Sequence, residues 1–270
     1  MTDTIVSAAN PLVKRMRQLA SRRYRRKEGV FLVEGAQPVW RAVEAGWDIE
    51  TLVVAPDLLA GSAAARMVAD QEARGTRVAR LSAELFTRLS DREGPSGLAA
   101  IVRCRTTRLD DLAVGPGAVF AALHRVGNPG NLGTVVRTVD AVGGAGVVLV
   151  GETADPYAPA AVKASMGSLF AVDVASAPDA DTFFAWAEAN GVQVAATSGY
   201  ADSDHWHAAY RTPLAVLLGS EGDGLPDDLL DRADLRVRIP MVGTAESLNL
   251  AVAAAVMLYE TRRHAPGLGG

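Results

Sequence analysis

The sequence predicts an α/β protein of two domains, the larger of which is built on a mostly parallel sheet. From Ala118 onward, apolar strand-like runs alternate with helical patterns, as in parallel sheets that helices cover on both faces. A shorter alternation of the same kind occupies residues 29–104 and predicts a small α/β domain. Between the two, residues 105–117 are polar and contain Gly115-Pro116-Gly117, which favours a linker.

In the smaller domain, apolar runs predict four strands, and helical periodicity predicts three helices between them. Gly46 is placed to end the first helix, and Ser82 is a natural N-cap for the third. The expected strands are 30–33, 51–54, 77–79 and 98–102, and the expected helices are 38–45, 63–74 and 82–89.

The first 28 residues are expected to form a basic arm. The segment 14–27 carries eight basic side chains and no acidic one, whereas the whole chain has a net charge of −4. Such localised charge favours contact with nucleic acid at one end of the molecule. The alternative is a solvated amphipathic helix, since Leu12, Met16 and Leu19 supply an apolar stripe. The candidate RNA-binding side chains are Arg22, Arg23, Arg25 and Arg26.

In the larger domain, residues 118–270, strands and helices are expected to alternate to the end of the chain. The last helix is apolar on more than one face, which fits either burial within its own domain or packing against a second copy. The expected strands are 118–123, 146–150, 170–174, 192–197, 214–218 and 235–239, and the expected helices are 132–142, 158–166, 182–189, 225–232 and 248–263.

Composition argues against several classes of protein. No apolar run approaches the roughly 20 residues of a membrane span, and the first residues lack the pattern of a secretory signal. The single cysteine, Cys104, rules out an intramolecular disulfide and suits the cytoplasm. Only two of the four histidines, His205 and His207, lie close together, so no metal site is expected.

Three motifs lie at predicted strand ends in the larger domain. They are residues 128–138 (NPGNLGTVVRT), 218–222 (LGSEG) and 239–250 (IPMVGTAESLNL). Because open α/β folds bind their ligands at the carboxyl ends of parallel strands, the motifs predict one shared site. Glycines at 127, 130 and 133 give GxxGxxG instead of GxGxxG, which argues against a nicotinamide-dependent oxidoreductase.

In this order, the motifs resemble those of the SpoU/TrmH family of RNA ribose 2′-O-methyltransferases, members of the knotted SPOUT superfamily. The resemblance covers roughly residues 119–263. It implies a C-terminal trefoil-knotted domain that binds S-adenosyl-L-methionine (SAM), and a homodimer. The string Phe31-Leu32-Val33-Glu34-Gly35 resembles part of the small substrate-binding domain that many family members carry N-terminally, although an ordinary strand–turn–helix would also contain it.

The resemblance implies catalytic-site roles for Arg137, Asn131, Glu221, Ser247 and Asn249. Arg137 is expected to abstract the 2′-hydroxyl proton with the help of a substrate phosphate, whereas a protonated arginine is by default a phosphate clamp. Asn131 is expected to orient Arg137 and the ribose, or, from its residue type alone, to cap a helix. Glu221 can pair with Arg137 or Asn131. Ser247 is also a natural N-cap for the last helix.

The SAM pocket is expected, by the same resemblance, to be lined mainly by backbone groups of Gly219, Ile239 and Leu248, with Thr197 as a fourth contact. Gly222 and Gly224 permit positive φ and close approach of a ligand. Asp223 is expected to be a turn residue.

Together these features predict SAM-dependent methylation of a ribose 2′-hydroxyl in structured RNA. Large-subunit ribosomal RNA is the favoured substrate, because family members with this N-terminal extension mostly act on it. The alternatives are a tRNA substrate and a non-catalytic RNA-binding role in ribosome assembly. The sequence does not separate a housekeeping role from antibiotic resistance.

Overall fold

The computed structural model describes residues 4–90 and 93–264, which divide into two compact units. The first unit runs to Arg105 and also takes in Tyr157–Ala171, and the second takes in Thr106–Pro156 and the described residues from Val172 onward. The predicted bounds 1–28 and 118–270 therefore extend into termini that lie outside the described residues.

The sheet of the first unit has four strands in the order β1-β4-β2-β3. β4 runs antiparallel to both of its neighbours, and β2 pairs with β3 in parallel. All four predicted strands of this region are confirmed. The strands are β1 (Val30–Glu34), β2 (Ile49–Val54), β3 (Arg77–Arg80) and β4 (Leu98–Arg103), and the helices are α1 (Pro11–Gln18), α2 (Arg22–Glu28), α3 (Ala36–Glu44), α4 (Pro56–Leu59), α5 (Ala63–Ala73) and α6 (Ala83–Leu89).

The basic N-terminal segment packs into this unit and does not stand apart as an arm. The apolar stripe of α1, formed by Leu12, Val13 and Met16, is buried in the same core cluster as Val30 and Ile101. Burial of that stripe fixes α1 against the sheet, because the transfer of apolar surface out of water is the main force that holds an amphipathic helix in place.

The second unit contains a seven-stranded sheet in the order β7-β6-β5-β10-β8-β11-β9, in which every neighbouring pair is parallel. The predicted parallel α/β fold is confirmed. The strands are β5 (Val119–His124), β6 (Gly146–Val150), β7 (Val174–Ala177), β8 (Gln193–Thr197), β9 (Ser203–Asp204), β10 (Leu214–Leu218) and β11 (Leu235–Arg238). The helices of this unit are α7 (Pro129–Ala141), α9 (Ala180–Ala189), α10 (Asp227–Arg232) and α11 (Leu250–His264), whereas α8 (Pro159–Ser165) belongs to the first unit.

The centre of this sheet is buried on both faces. Every residue of β6 and β10 is buried, as are the first five residues of β5. This burial explains why these strands are continuous apolar runs without alternation. On one side, α11 packs against α7 and also against β5 and β10. The helix that follows the third motif is thereby held beside the helix that contains most of the first.

The segment Tyr157–Ala171 differs from the sequence prediction, which assigned it to the larger domain. It contains α8 and a 3-10 turn at Ser168–Phe170, and it packs within the first unit. There Tyr157 lies on Phe31 with a ring-centroid separation of 4.5 Å, and the Trp47 indole N–H donates to the Phe170 carbonyl at 3.2 Å. The predicted strand 170–174 is wrong over its first four residues for the same reason: this aromatic packing, and not a sheet position, buries Phe170.

In the ranges that the structure describes, no helix combines the length and apolar character needed to cross a membrane.

Candidate active site

The first motif begins at Asn128, at the end of the connection from β5, and continues through most of α7. α7 begins at Pro129, three residues before the predicted start at Leu132. Asn128 caps it, because its side-chain oxygen accepts hydrogen bonds from the backbone N–H groups of Gly130 at 2.8 Å and Asn131 at 3.2 Å. This cap was not predicted from the sequence, although an Asn-Pro pair at a strand-to-helix junction is a recognisable start signal.

Asn131 lies in the first turn of α7 and joins the three motifs. Its amide nitrogen donates to Glu221 Oε1 at 3.0 Å, and its amide oxygen accepts from the Asn249 side chain at 3.1 Å. A carboxylate can only accept, so the nitrogen of Asn131 must face Glu221, and this fixes its oxygen towards Asn249. Of the two partners expected for Glu221, the structure shows Asn131.

Glu221 is held as an anion. Partial burial alone would raise the pKa of its carboxyl group, but hydrogen bonds from the Asn131 amide and from backbone N–H groups of the 127–128 turn outweigh burial and lower this pKa. One of these donors, the Gly127 N–H, lies 3.4 Å from Oε2. The carboxylate therefore fixes both the asparagine and the loop that leads into α7.

The loop after β10 is closed tightly at Gly219. A Cβ atom added to Gly219 would lie 2.1 Å from the carbonyl carbon of Gly224, so only glycine fits there. Ser220 and Gly224 exchange backbone hydrogen bonds of 3.2 and 3.1 Å across the turn. Asp223 donates its N–H to the Ser220 hydroxyl at 3.2 Å, as expected of a turn residue.

Of the two glycines that permit positive φ, Gly224 adopts it, with φ of 68°, and Gly222 does not. The turn needs one left-handed residue to close the Ser220–Gly224 pair, and Gly224 supplies it.

Arg137 lies on the exposed face of α7. Six residues at 3.6 per turn place it about 120° around the helix axis from Asn131, with the exposed Thr134 between them. Among the described residues its guanidinium has no hydrogen-bond or ion-pair partner, so the expected contact with Asn131 is absent. The Arg137 guanidinium is instead available to a ligand that approaches the exposed face of α7.

The third motif is an exposed segment that ends at α11. Ser247 and Leu248 are both exposed. The expectation that Ser247 caps the helix is wrong, because α11 begins at Leu250, and the Asn249 side-chain oxygen accepts the Ala251 N–H at 2.9 Å. Asn249 thus both caps α11 and donates to Asn131.

The four residues expected to line the SAM pocket lie at one edge of the sheet. Gly219, Thr197 and Ile239 follow or end β10, β8 and β11, which are adjacent strands, and Leu248 is in the loop before α11. Between 241 and 248, no backbone N–H donates to another group among the residues that the structure describes. This arrangement fits a cofactor that is held by backbone groups, since such exposed peptide groups are available to a ligand.

The predicted RNA-binding arginines do not share one environment. Arg22, Arg23 and Arg26 are exposed on α2. Arg25 is only 3% exposed, and its guanidinium donates to the carbonyls of Leu19 and Ala20 at 2.8 Å each. The prediction that Arg25 contacts RNA is therefore corrected, because its charge is used to satisfy the carbonyl groups that end α1.

Two family models match the chain. Residues 118–259 match the SpoU rRNA Methylase family, and residues 10–100 match the MRM3-like substrate binding domain. The second match begins at residue 10, so it includes the basic helices α1 and α2, in agreement with their packing in the first unit.

Characterised relatives cover nearly the whole chain. A 23S rRNA (uridine(2479)-2′-O)-methyltransferase of Streptomyces viridochromogenes is 32% identical over 91% of this chain and 86% of its own. A 23S rRNA (guanosine(2553)-2′-O)-methyltransferase of Bacillus subtilis is 30% identical over 96% of this chain and 98% of its own.

Solved structures show the same similarity. The AdoMet-bound rRNA methyltransferase of Sinorhizobium meliloti has a TM-score of 0.88 and 38% identity, and covers 97% of this chain and 98% of that one. The SpoU methyltransferase AviRb of Streptomyces viridochromogenes has a TM-score of 0.83 with 31% identity. Sequence, fold and site geometry together show that this chain belongs to the SpoU family of rRNA methylases.

Proposed function

We propose that the chain transfers the methyl group of SAM to a ribose 2′-hydroxyl of large-subunit ribosomal RNA. The observation that carries this proposal is the hydrogen-bonded series Glu221–Asn131–Asn249 beside the exposed Arg137, at the edge of the sheet where four candidate cofactor contacts meet. Two relatives that cover at least nine-tenths of this chain are named 23S rRNA 2′-O-methyltransferases, and a related structure contains AdoMet.

The cofactor is proposed to bind at the edge formed by Thr197, Gly219, Ile239 and Leu248. Gly219 presents no side chain, and the exposed backbone before α11 offers donors and acceptors for an adenosine moiety. When bound, SAM supplies an electrophilic methyl group on a positively charged sulfur. The protein's task is to orient the ribose hydroxyl and to manage its proton.

Arg137 is proposed to face the ribose and its phosphate, because it lies on the same helix as Asn131 and has no partner among the described residues. A guanidinium presents a planar fork of donors that matches a phosphate. Asn131 and Ser247 are proposed to contact the ribose, with Glu221 and Asn249 fixing the orientation of Asn131. Arg137→Lys, which keeps the charge without the planar fork, tests whether the guanidinium itself is needed.

RNA is proposed to contact the first unit through Arg22, Arg23 and Arg26 of α2. These side chains are exposed, and Arg23 lines a cavity of about 370 Å³ together with Gln18, Ser21, Tyr24 and Lys27. Positive charge next to an aromatic ring is a common way to bind single-stranded nucleic acid.

A homodimer is proposed on the exposed face of α11. Val252 and Tyr259 are seven residues apart, so they share one face of the helix, and they are 49% and 59% exposed. A second copy packed there would remove this apolar surface from water. Light scattering should show a dimer at micromolar concentration for the wild type and a monomer for Val252→Glu. A monomeric wild type would contradict this part of the proposal.

The substrate class is tested by methyl transfer from radiolabelled SAM to purified 23S rRNA, 16S rRNA and tRNA. Label in the 23S rRNA alone is expected, and it should appear as a 2′-O-methyl nucleoside after digestion. Label in tRNA alone would replace the proposed substrate with the tRNA alternative, and no label in any RNA would contradict the enzymatic function. The trefoil knot, implied by the resemblance, and a cytoplasmic location, favoured by the single cysteine, stay predictions.

A further inference from the structure

Arg125, in the turn between β5 and α7, has an unusual backbone conformation. Its φ is +53°, and among the described residues only Met166 shares a positive φ without being glycine. This left-handed region is unfavourable for residues with a Cβ, and it persists where the surrounding structure imposes it. Here the Arg125 N–H donates to the Val150 carbonyl at 3.1 Å, and the Ala154 N–H donates to the Val126 carbonyl at 2.7 Å.

The side chain of Arg125 is directed by a neighbouring glycine. A Cβ atom added to Gly151 would lie 3.5 Å from Arg125 Cγ, so the aliphatic part of the arginine runs alongside the glycine backbone. The residue is exposed, and among the described residues its guanidinium has no hydrogen-bond or ion-pair partner. Many other arginines of this chain are paired with carboxylates, as in the Arg236–Asp231 and Arg238–Asp204 ion pairs.

The charge of Arg125 is not neutralised locally. The adjacent His124 has a pKa below its usual value, because burial and the nearby Arg125 both disfavour its protonation, and Asp228 opposes this effect only in part. His124 is therefore uncharged at neutral pH, and Arg125 remains an available cation at the sheet edge.

Arg125 belongs to the connection that builds the proposed catalytic site. Two residues further on, the Gly127 N–H holds Glu221, and α7 then presents Asn131 and Arg137. A ribose in an RNA chain is flanked by two phosphates. Arg137, on α7, is proposed to bind one of these phosphates. The connection that leads into α7 carries a second unpaired arginine, Arg125, on the side of β6.

We propose that Arg125 binds an RNA backbone phosphate next to the target ribose, as a second substrate-binding arginine that the left-handed turn aims at the RNA. This inference rests on the proposed RNA methyl transfer. It accounts for an unfavourable backbone conformation at a residue whose side chain has no structural partner in the described residues.

The test compares Arg125→Gly and Arg125→Lys with the wild type. Glycine relieves the backbone conformation and removes the cation, so the protein should melt about 2–4 °C higher while the KM for RNA rises about tenfold. The Kd for SAM should not change. Arg125→Lys keeps a point charge without the planar fork, so its KM for RNA should rise only about threefold. Loss of one phosphate contact should also reduce the slope of log K against log salt by about 0.7.

Met166→Gly is the matched control, since it makes the same backbone change at the end of α8 and should leave the KM for RNA unchanged. If Arg125→Gly keeps the wild-type KM and salt slope while the wild type methylates RNA, Arg125 does not bind a phosphate and the proposed function is unaffected. If the variant loses only kcat, Arg125 shapes the loop and does not bind phosphate. If the wild type methylates no RNA, the proposed function fails together with the inference.

Discussion

The hydrogen bond between Asn131 and Glu221 can be reversed in polarity by replacing the amide at 131 with a carboxyl group and the carboxyl group at 221 with an amide. Asn131→Asp removes the donor that faces Glu221 at 3.0 Å and puts a second carboxylate there. The oxygen that accepts from Asn249 is retained, so the loss of folding stability reports on the Glu221 contact alone. Adding Glu221→Gln restores a donor–acceptor pair in the opposite direction.

The expected loss of stability follows from this geometry. A hydrogen bond to a charged group contributes about 1.5 kcal/mol at the lower end of its range, which suits groups this exposed. Two unit charges 3.0 Å apart repel by about 1.4 kcal/mol in the dielectric of bulk water. Asn131→Asp should therefore cost about 3 kcal/mol at neutral pH, or roughly 6–12 °C in Tm at ~2–4 °C per kcal/mol.

The pH dependence has a defined sign. In the wild type the pKa of Glu221 is lowered, so the stabilisation from its hydrogen bonds is complete above the ordinary glutamate pKa and is lost as the pH falls through the lowered value. In Asn131→Asp, repulsion raises the pKa of one carboxyl group. The loss of stability from this repulsion is then full at pH 7 and shrinks as the pH falls through that raised pKa. The difference in Tm between the wild type and Asn131→Asp should therefore narrow in acid.

Thermal and denaturant unfolding of the wild type, both single variants and the double variant would measure the coupling. The double variant should recover to within about 1 kcal/mol of the wild type, which corresponds to a coupling energy of about 2 kcal/mol or more. Strictly additive single effects, or a Tm gap that stays constant with pH, would refute the assigned hydrogen bond.

Three further outcomes are expected. Arg137→Ala should lower the rate of methyl transfer by roughly 10²–10⁴-fold with SAM affinity retained. Near-normal turnover of Arg137→Lys would show that a positive charge suffices at this position and that the planar guanidinium is not required. Gly219→Ala should destabilise the second unit and abolish the rise in Tm on adding SAM, because the new Cβ would lie 2.1 Å from the Gly224 backbone. A variant that is as stable as the wild type and responds equally to SAM would contradict the loop geometry. Arg22→Ala combined with Arg23→Ala should weaken RNA binding and flatten its salt dependence, which filter binding over a salt series would measure, while turnover at saturating RNA persists. Unchanged RNA binding would exclude α2 from the RNA interface.

The parallel fold and the meeting of the three motifs could be predicted from the sequence, because both depend on local patterns. The run 214–218 is apolar at every position, as a strand buried on both faces must be, and β10 confirms it. The motifs each lie at a carboxyl strand end, so the meeting of Asn131, Glu221 and Asn249 follows from the parallel arrangement itself.

Other features depend on packing partners that no local pattern specifies. Tyr157–Ala171 lies between two strands of the larger sheet in sequence, but its aromatic side chains pack on Phe31 and Trp47 of the first unit. Arg25 stands in a run of basic residues, yet it is buried because two carbonyls at the end of α1 need a donor. The left-handed turn at Arg125 has no signal in the sequence, because arginine is not a residue typical of that conformation.

Mapping of 2′-O-methylated nucleotides in ribosomal RNA, from cells with and without this gene, tests ribose methylation most directly. One modified position in the large-subunit RNA should disappear without the gene, return with the wild-type copy and stay absent with the Arg137→Ala copy. Identical methylation maps of ribosomal RNA with and without the gene would contradict the assignment.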